Sequence, residues 1–153
     1  MIVKKILFPT DFSETAAYAW EHAATFAKEF EAEVLLLHVQ VPLHPTAEAY
    51  LTGEQWERMY QETAREATEQ MEKLVQEAAL EPDLAKLELR TGIAFEQIIK
   101  AAREHGADLI VMGTHGRTGL AHALLGSVAE KVVRKAPCPV LTVRHPEFKF
   151  KMP

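Results

Sequence analysis

The chain reads as a single α/β domain whose open, mostly parallel sheet carries helices on both faces. Three observations predict this. Five short apolar runs, Ile2 to Phe8, Val34 to Val39, Leu84 to Leu89, Leu109 to Met112 and Val140 to Val143, have the length and residue types of strands. Stretches with apolar residues at helical spacing fill the gaps between them. Alternation of the two types throughout implies crossover connections, which make neighbouring strands parallel. A length of 153 residues suits one domain spanning the whole chain, residues 1–153, and 48% apolar with 25% charged content sits at the globular average.

The first two runs are apolar and rich in β-branched residues, and Pro9 and Pro42 close them, as expected of strands buried on both faces. Between them Ala16, Ala17, Trp20, Ala23, Ala24 and Ala27 mark a helix over Ser13 to Phe30, with Asp11 or Ser13 as its N-cap. Thr52 and Gln55 form a capping box for the next helix, whose apolar residues run from Trp56, Met59 and Tyr60 to Met71, Leu74 and Ala78. Leu84 to Leu89 alternates apolar with polar, so it is a strand exposed on one side, near an edge. Phe95 to Glu104 and Ser127 to Lys135 are shorter helices that turn Ile98, Ile99, Val128, Val132 and Val133 inward. Pro42 to Leu51 is the long connection without a regular pattern, and His145 to Pro153 reads as a frayed terminus.

Bulk properties narrow the function. A formal charge of -5 gives no broad positive field to recruit nucleic acid. Cys138 is alone, which excludes a disulfide framework and suits a reducing compartment. The apolar stretch in Met1 to Pro9 is too short for a signal peptide, and no stretch approaches the roughly 18 apolar residues of a membrane span. The expectation is a cytoplasmic protein with neither nucleic acid nor membrane as partner.

In an open parallel sheet, ligands bind beyond the carboxyl ends of the strands, where connections leave for opposite faces. The residues at those ends are Pro9-Thr10-Asp11, His38-Val39, Thr91-Gly92-Ile93 and Met112 to Gly116, and the last group is the glycine-rich one. Gly113, Gly116 and Gly119 let a loop turn its N–H groups toward an anion. Ser127 adds a hydroxyl where a helix N-terminus already favours phosphate, and Arg117 supplies a fixed positive charge. The same spacing also describes a tight strand-to-helix turn, and spacing alone leaves both readings open. Other phosphate motifs do not fit: the chain has no Gly-Lys pair for a Walker A loop, and Pro9-Thr10-Asp11 stands where a dinucleotide fingerprint needs glycines.

Asp11 is either the cap of the first helix, a ligand group, or both. His115 and His122 have no carboxylate or thiol at a recognisable ligand spacing and read as solvated loop histidines, whereas His38 reads as a satisfied core histidine. Cys138 reads as a small buried apolar group, and Trp20 and Trp56 as packing residues.

Gly113-Thr114-His115-Gly116, then Arg117 to Leu125, then Gly126-Ser127 resembles the G-2x-G-9x-G-[S/T] signature of ATP-binding universal stress proteins, without a gap. Phe8 to Ser13 is similar to that family's opening, and Ala136 to Val140 to its approach to the last strand. The resemblance implies a Rossmann-like sheet of order 3-2-1-4-5. It implies ATP, with Mg2+ or Mn2+ held by its phosphates, in a site that includes Pro9 and Thr10. There Asp11 would accept from the ribose hydroxyls, Val39 would line the adenine and Met112 would close the base or sugar side. Gly113, Gly116, Gly126, Ser127 and Val128 would hold the phosphates, largely by backbone N–H groups. It further implies a homodimer through the last strand and a nucleotide-dependent regulatory or stress-response role. Slow ATP hydrolysis or phosphoryl transfer, and a nucleotide-free interaction module, are the alternatives.

Overall fold

The computed structural model describes residues 2–42, 51–115 and 125–147. Five strands, β1 Lys5–Thr10, β2 Glu33–Gln40, β3 Ala85–Thr91, β4 Leu109–Gly113 and β5 Val140–Val143, form one sheet in the order β3-β2-β1-β4-β5. All four neighbouring pairs are parallel. The helices are α1 Glu14–Phe30, α2 Gly53–Glu77, α3 Ala94–His105 and α4 Ser127–Lys135, with a 3-10 turn at Pro82–Leu84. The expected class and strand order are therefore found. β1 is shifted: it begins at Lys5 and extends through Pro9 to Thr10, while Ile2 stands 79% exposed outside it.

Alternate side chains along each strand feed two cores. On one face Ile6 and Phe8 of β1, Val34 and Leu36 of β2 and Val111 of β4 pack against α1 and Met71 of α2. The alanines of α1 at helical spacing let that helix lie close to the sheet, and Trp20 fills the remaining depth, its ring centroid 5.0 Å from that of Phe8. Its Nε1 donates to the Leu74 carbonyl of α2 at 2.9 Å, so Trp20 serves packing as expected and also ties the two helices. On the other face Leu7, Leu35, Leu37, Ile110 and Met112 pack against Ile98 of α3 and Val132 of α4.

The sheet opens where it matters for a ligand. β1 stays paired with β2 to its end, Thr10 opposite His38, but its ladder with β4 comprises Ile6 with Leu109 and Leu7 with Ile110. Beyond that point Pro9 brings no N–H, and the carboxyl ends of β1 and β4 separate. From this place the chain leaves toward α1 on one face and α4 on the other, the reversal at which a crevice is expected.

Candidate functional site

A crevice of about 330 Å³ lies at this opening, near the small end of the range for small-molecule sites. Its apolar wall includes Leu37 and Val39 of β2, Ile98 of α3 and Met112 of β4. Pro9, Thr10 and Asp11 bound it at the end of β1, and Gly113, Gly126, Ser127 and Val128 bound it opposite. Nine of the eleven residues expected from sequence are thus brought together, while Gly116 and Arg117 lie outside the described residues, as does His122.

The donors come from α4. Gly126 is its N-cap and provides no side-chain cap hydrogen bond, and the first bond of the helix runs from Glu130 N–H to the Gly126 carbonyl at 2.9 Å. The N–H groups of Ser127, Val128 and Ala129 precede that bond, so they are the ones a helix leaves for an outside acceptor. They border the crevice and carry the positive end of the helix dipole. Gly126 N–H itself donates to the Thr114 carbonyl at 2.7 Å, which anchors the start of α4 to the end of β4.

Gly113 has a packing reason to be glycine. A Cβ there would stand 3.0 Å from Thr15 Cγ2 and 3.3 Å from the Thr15 backbone carbonyl, so the first turn of α1 would have to give way by a few tenths of an ångström. Close approach of β4 to α1 thus favours a glycine whether or not a ligand is bound.

The turn from β1 into α1 is fixed by short side chains. The Thr10 hydroxyl accepts from Phe12 N–H at 3.1 Å, Asp11 Oδ1 accepts from Ser13 N–H at 3.0 Å, and Ser13 Oγ accepts from Ala16 N–H at 3.2 Å. Ser13 is therefore the N-cap of α1, and Asp11 closes the turn ahead of it. Phe12 takes a left-handed φ of 61°, a conformation that branched and bulky residues seldom hold. This turn leaves Asp11 on the crevice, while Phe12 packs on the His38 ring with centroids 4.6 Å apart. His38 Nδ1 lies 2.8 Å from the Thr10 carbonyl, so that nitrogen carries the proton, and the half-buried ring is satisfied as expected.

His115 corrects the sequence reading. It is 6% exposed rather than solvated, it lines the crevice, and its Nδ1 sits 3.0 Å from the Thr114 hydroxyl. Thr114, Leu37, Ile98 and Ala129 are among the other crevice residues that sequence reasoning did not single out; the apolar three carry no signal beyond burial. Cys138 is half-buried, and desolvation pushes its thiol pKa up, with a smaller push from Asp108, in keeping with an inert packing group. Among the described residues no three of His, Cys, Asp and Glu gather as a metal site, and no helix is long and apolar enough to cross a membrane.

Comparison with known proteins gives this geometry a context. The model of the universal stress protein family matches residues 3–144. Universal stress protein MJ0531 of Methanocaldococcus jannaschii is 40% identical over 149 residues, covering 95% of this chain and 85% of its own. The solved structure of MJ0577, from the same organism, superposes with a TM-score of 0.83 at 37% identity, covering 96% of this chain and 99% of that one. A universal stress protein of Archaeoglobus fulgidus, solved in complex with dAMP, superposes with a TM-score of 0.64 at 25% identity and covers 94% and 99% of the two chains.

Proposed function

The chain belongs to the universal stress protein family, and we propose that it binds ATP in the crevice between β1 and β4 and acts as a nucleotide-dependent regulatory factor in a stress response. One observation carries this reading: the open N-terminus of α4 borders a cavity that also has an apolar wall. A ligand that suits both has an anionic end and a flat, weakly polar end. The dAMP complex of the Archaeoglobus fulgidus relative supports an adenine nucleotide as that ligand.

In this reading Val39 and Met112 enclose the base, and Asp11, whose Oδ1 already accepts from Ser13 N–H, also accepts from the ribose hydroxyls. Gly113, Gly126, Ser127 and Val128, together with Gly116 and Arg117, hold the phosphates, and Pro9 and Thr10 shape the floor beside them. Mg2+ or Mn2+ is held by the phosphates of the nucleotide. Asp11 and His115 are the titratable side chains among the described residues of the crevice, which favours binding over turnover, because phosphoryl transfer needs a positioned base and a well-held metal. We further propose a cytoplasmic homodimer, paired through β5 at the end of the sheet.

Calorimetric titration tests the reading. ATP gives a saturable signal with the wild-type chain, Ser127→Ala weakens it about tenfold by loss of one hydrogen bond to a charged group, and Gly126→Val abolishes it. No signal with ATP, ADP or AMP, or wild-type affinity in Gly126→Val, overturns it.

A further inference from the structure

We propose that the cavity between α2 and the carboxyl ends of β2 and β3 is a second ligand site, independent of the nucleotide crevice, and that it takes a small organic cation with an ammonium group on an apolar body. Strand geometry separates the two. Alternate residues of β2 point to opposite faces of the sheet, so Leu37 and Val39 line the crevice while His38 and Gln40 line this second cavity, of about 290 Å³. Among the described residues Val41 alone borders both.

The starting point is an acceptor. Gln40 Oε1 is buried and has no hydrogen-bond partner. Gln40 Nε2 donates to Thr63 Oγ1 at 2.9 Å. That hydroxyl lies 3.1 Å from the Met59 carbonyl and 3.0 Å from the Tyr60 carbonyl, so its own proton is directed to the helix backbone and it accepts from the carboxamide. The amide is thereby oriented with its oxygen as the unmatched atom, and a buried acceptor without a donor is unfavourable. Because this oxygen is closed to bulk water, its donor must come from a bound group that shifts the cavity wall as it enters. The other wall residues say which kind of group. Trp56 and Tyr60 of α2 are half-buried and meet edge to face with ring centroids 6.0 Å apart, and the Tyr60 hydroxyl is hydrogen-bonded to the Thr91 hydroxyl, which ties α2 to the end of β3. Aromatic faces of this kind attract cations. The Glu66 carboxylate stands at the exposed rim, and no lysine or arginine lines the cavity among the described residues. An ammonium group suits all three features: it donates to the oxygen, lies against the rings and pairs with the carboxylate. An anion would meet none of them favourably, the reverse of the crevice with its open helix N-terminus.

The test titrates the whole chain with three probes of similar size, 2-phenylethylammonium, 2-phenylethanol and 3-phenylpropionate. The ammonium probe binds about tenfold more tightly than the alcohol, and the carboxylate probe more weakly than either. In nitrogen-15 spectra the Trp56 indole N–H signal, identified by its loss in Trp56→Phe, moves with the ammonium probe, whereas that of Trp20, 4% exposed and bonded to the Leu74 carbonyl, stays in place. Gln40→Met, which keeps the length of the side chain and removes the acceptor, weakens the ammonium probe about tenfold, and Glu66→Gln weakens it about threefold, as for an exposed pair. Thermal melting checks that each variant is folded; should Gln40→Met unfold, Glu66→Gln and the wild-type ranking of the three probes decide. Equal affinity for the three probes, an unmoved Trp56 signal, or backbone shifts centred on Gly126 and Ser127 instead overturns the assignment. Unchanged ammonium affinity in a folded Gln40→Met also overturns it, since attraction to the acidic surface of α2 would then account for the binding.

Discussion

The two ends of the sheet treat their backbone donors in opposite ways. At the amino end the chain's own carboxylate closes them: Asp108 Oδ2 accepts from Lys4 N–H and Lys5 N–H, both at 2.9 Å. At the carboxyl end α4 begins on Gly126, which has no side chain to offer its first turn. α3, whose Ala94 and Ile98 also line the crevice, begins without a side-chain cap as well, whereas Ser13 and Thr52 cap α1 and α2. Cavity size would mislead here. The apolar cleft at the amino end, between Ile2, Phe26, Phe30 and Leu141, is larger at about 420 Å³, but Lys4 is its one polar side chain among the described residues. A polar ligand is oriented by donors and acceptors, so the smaller crevice is the better candidate.

The comparison breaks most severely at Gly113. Val at this site forces a Cβ to within 3.0 Å of Thr15 Cγ2 and 3.3 Å of the Thr15 carbonyl carbon and oxygen, and backbone atoms in the first turn of α1 cannot step aside cheaply. Gly113→Val is expected to cost about 1–3 kcal/mol of stability, the usual range for overpacking, and to weaken ATP by displacing β4 from α1. Urea unfolding and calorimetry read the two effects. Wild-type stability in this variant would mean that the wall of the crevice is softer than its contacts imply.

A smaller effect sharpens the comparison at the opposite end. Asp108→Ala leaves two strand-start N–H groups without their carboxylate and is expected to cost about 1–2 kcal/mol, with ATP affinity unchanged. The two N–H groups, Lys4 first, hold the Asp108 pKa below its ordinary value of 3.8. Because the folded-state value is the depressed one, the contribution is complete well above the unfolded-state pKa and is lost as pH falls through the folded-state pKa. The stability difference between wild type and Asp108→Ala should therefore be full at pH 7 and shrink below about pH 4. A difference that persists undiminished at pH 2 would show that the carboxylate charge is not its source.

What the sequence disclosed follows the range of the interactions involved. The α4 boundaries are visible because Gly126 and Ser127 are local start signals, and the capping box of α2 because Thr52 and Gln55 are three residues apart. The sheet is visible because buried parallel strands are apolar on both faces, although Ile2 belonged to the apolar run without belonging to the strand. Asp11 and Ser13 could not be told apart as caps, since both residue types serve and the left-handed Phe12 between them has no sequence signal. His115 was misread for a different reason. Its burial depends on Thr114 pairing with Val143, twenty-nine residues away, and on Gly126 folding back onto Thr114. No local pattern around a loop histidine encodes such contacts.

The smallest expected effect is the most exacting check on the separation of the two ends. Ile2 is 79% exposed, so Ile2→Ser removes little buried apolar area although the residue lines the larger cavity. Its stability should stay within about 0.5 kcal/mol of wild type, as for most surface substitutions, and its ATP affinity should be unchanged. The sheet lies between Ile2 and the crevice, and Ile6, Leu7 and Phe8 on that path are almost wholly buried. A close-packed interior transmits displacement, but a side chain already in solvent has almost none to transmit. If Ile2→Ser changed ATP affinity by more than about tenfold, the amino-end cleft would be coupled to the crevice through β1, and the division of labour between the two ends would fail.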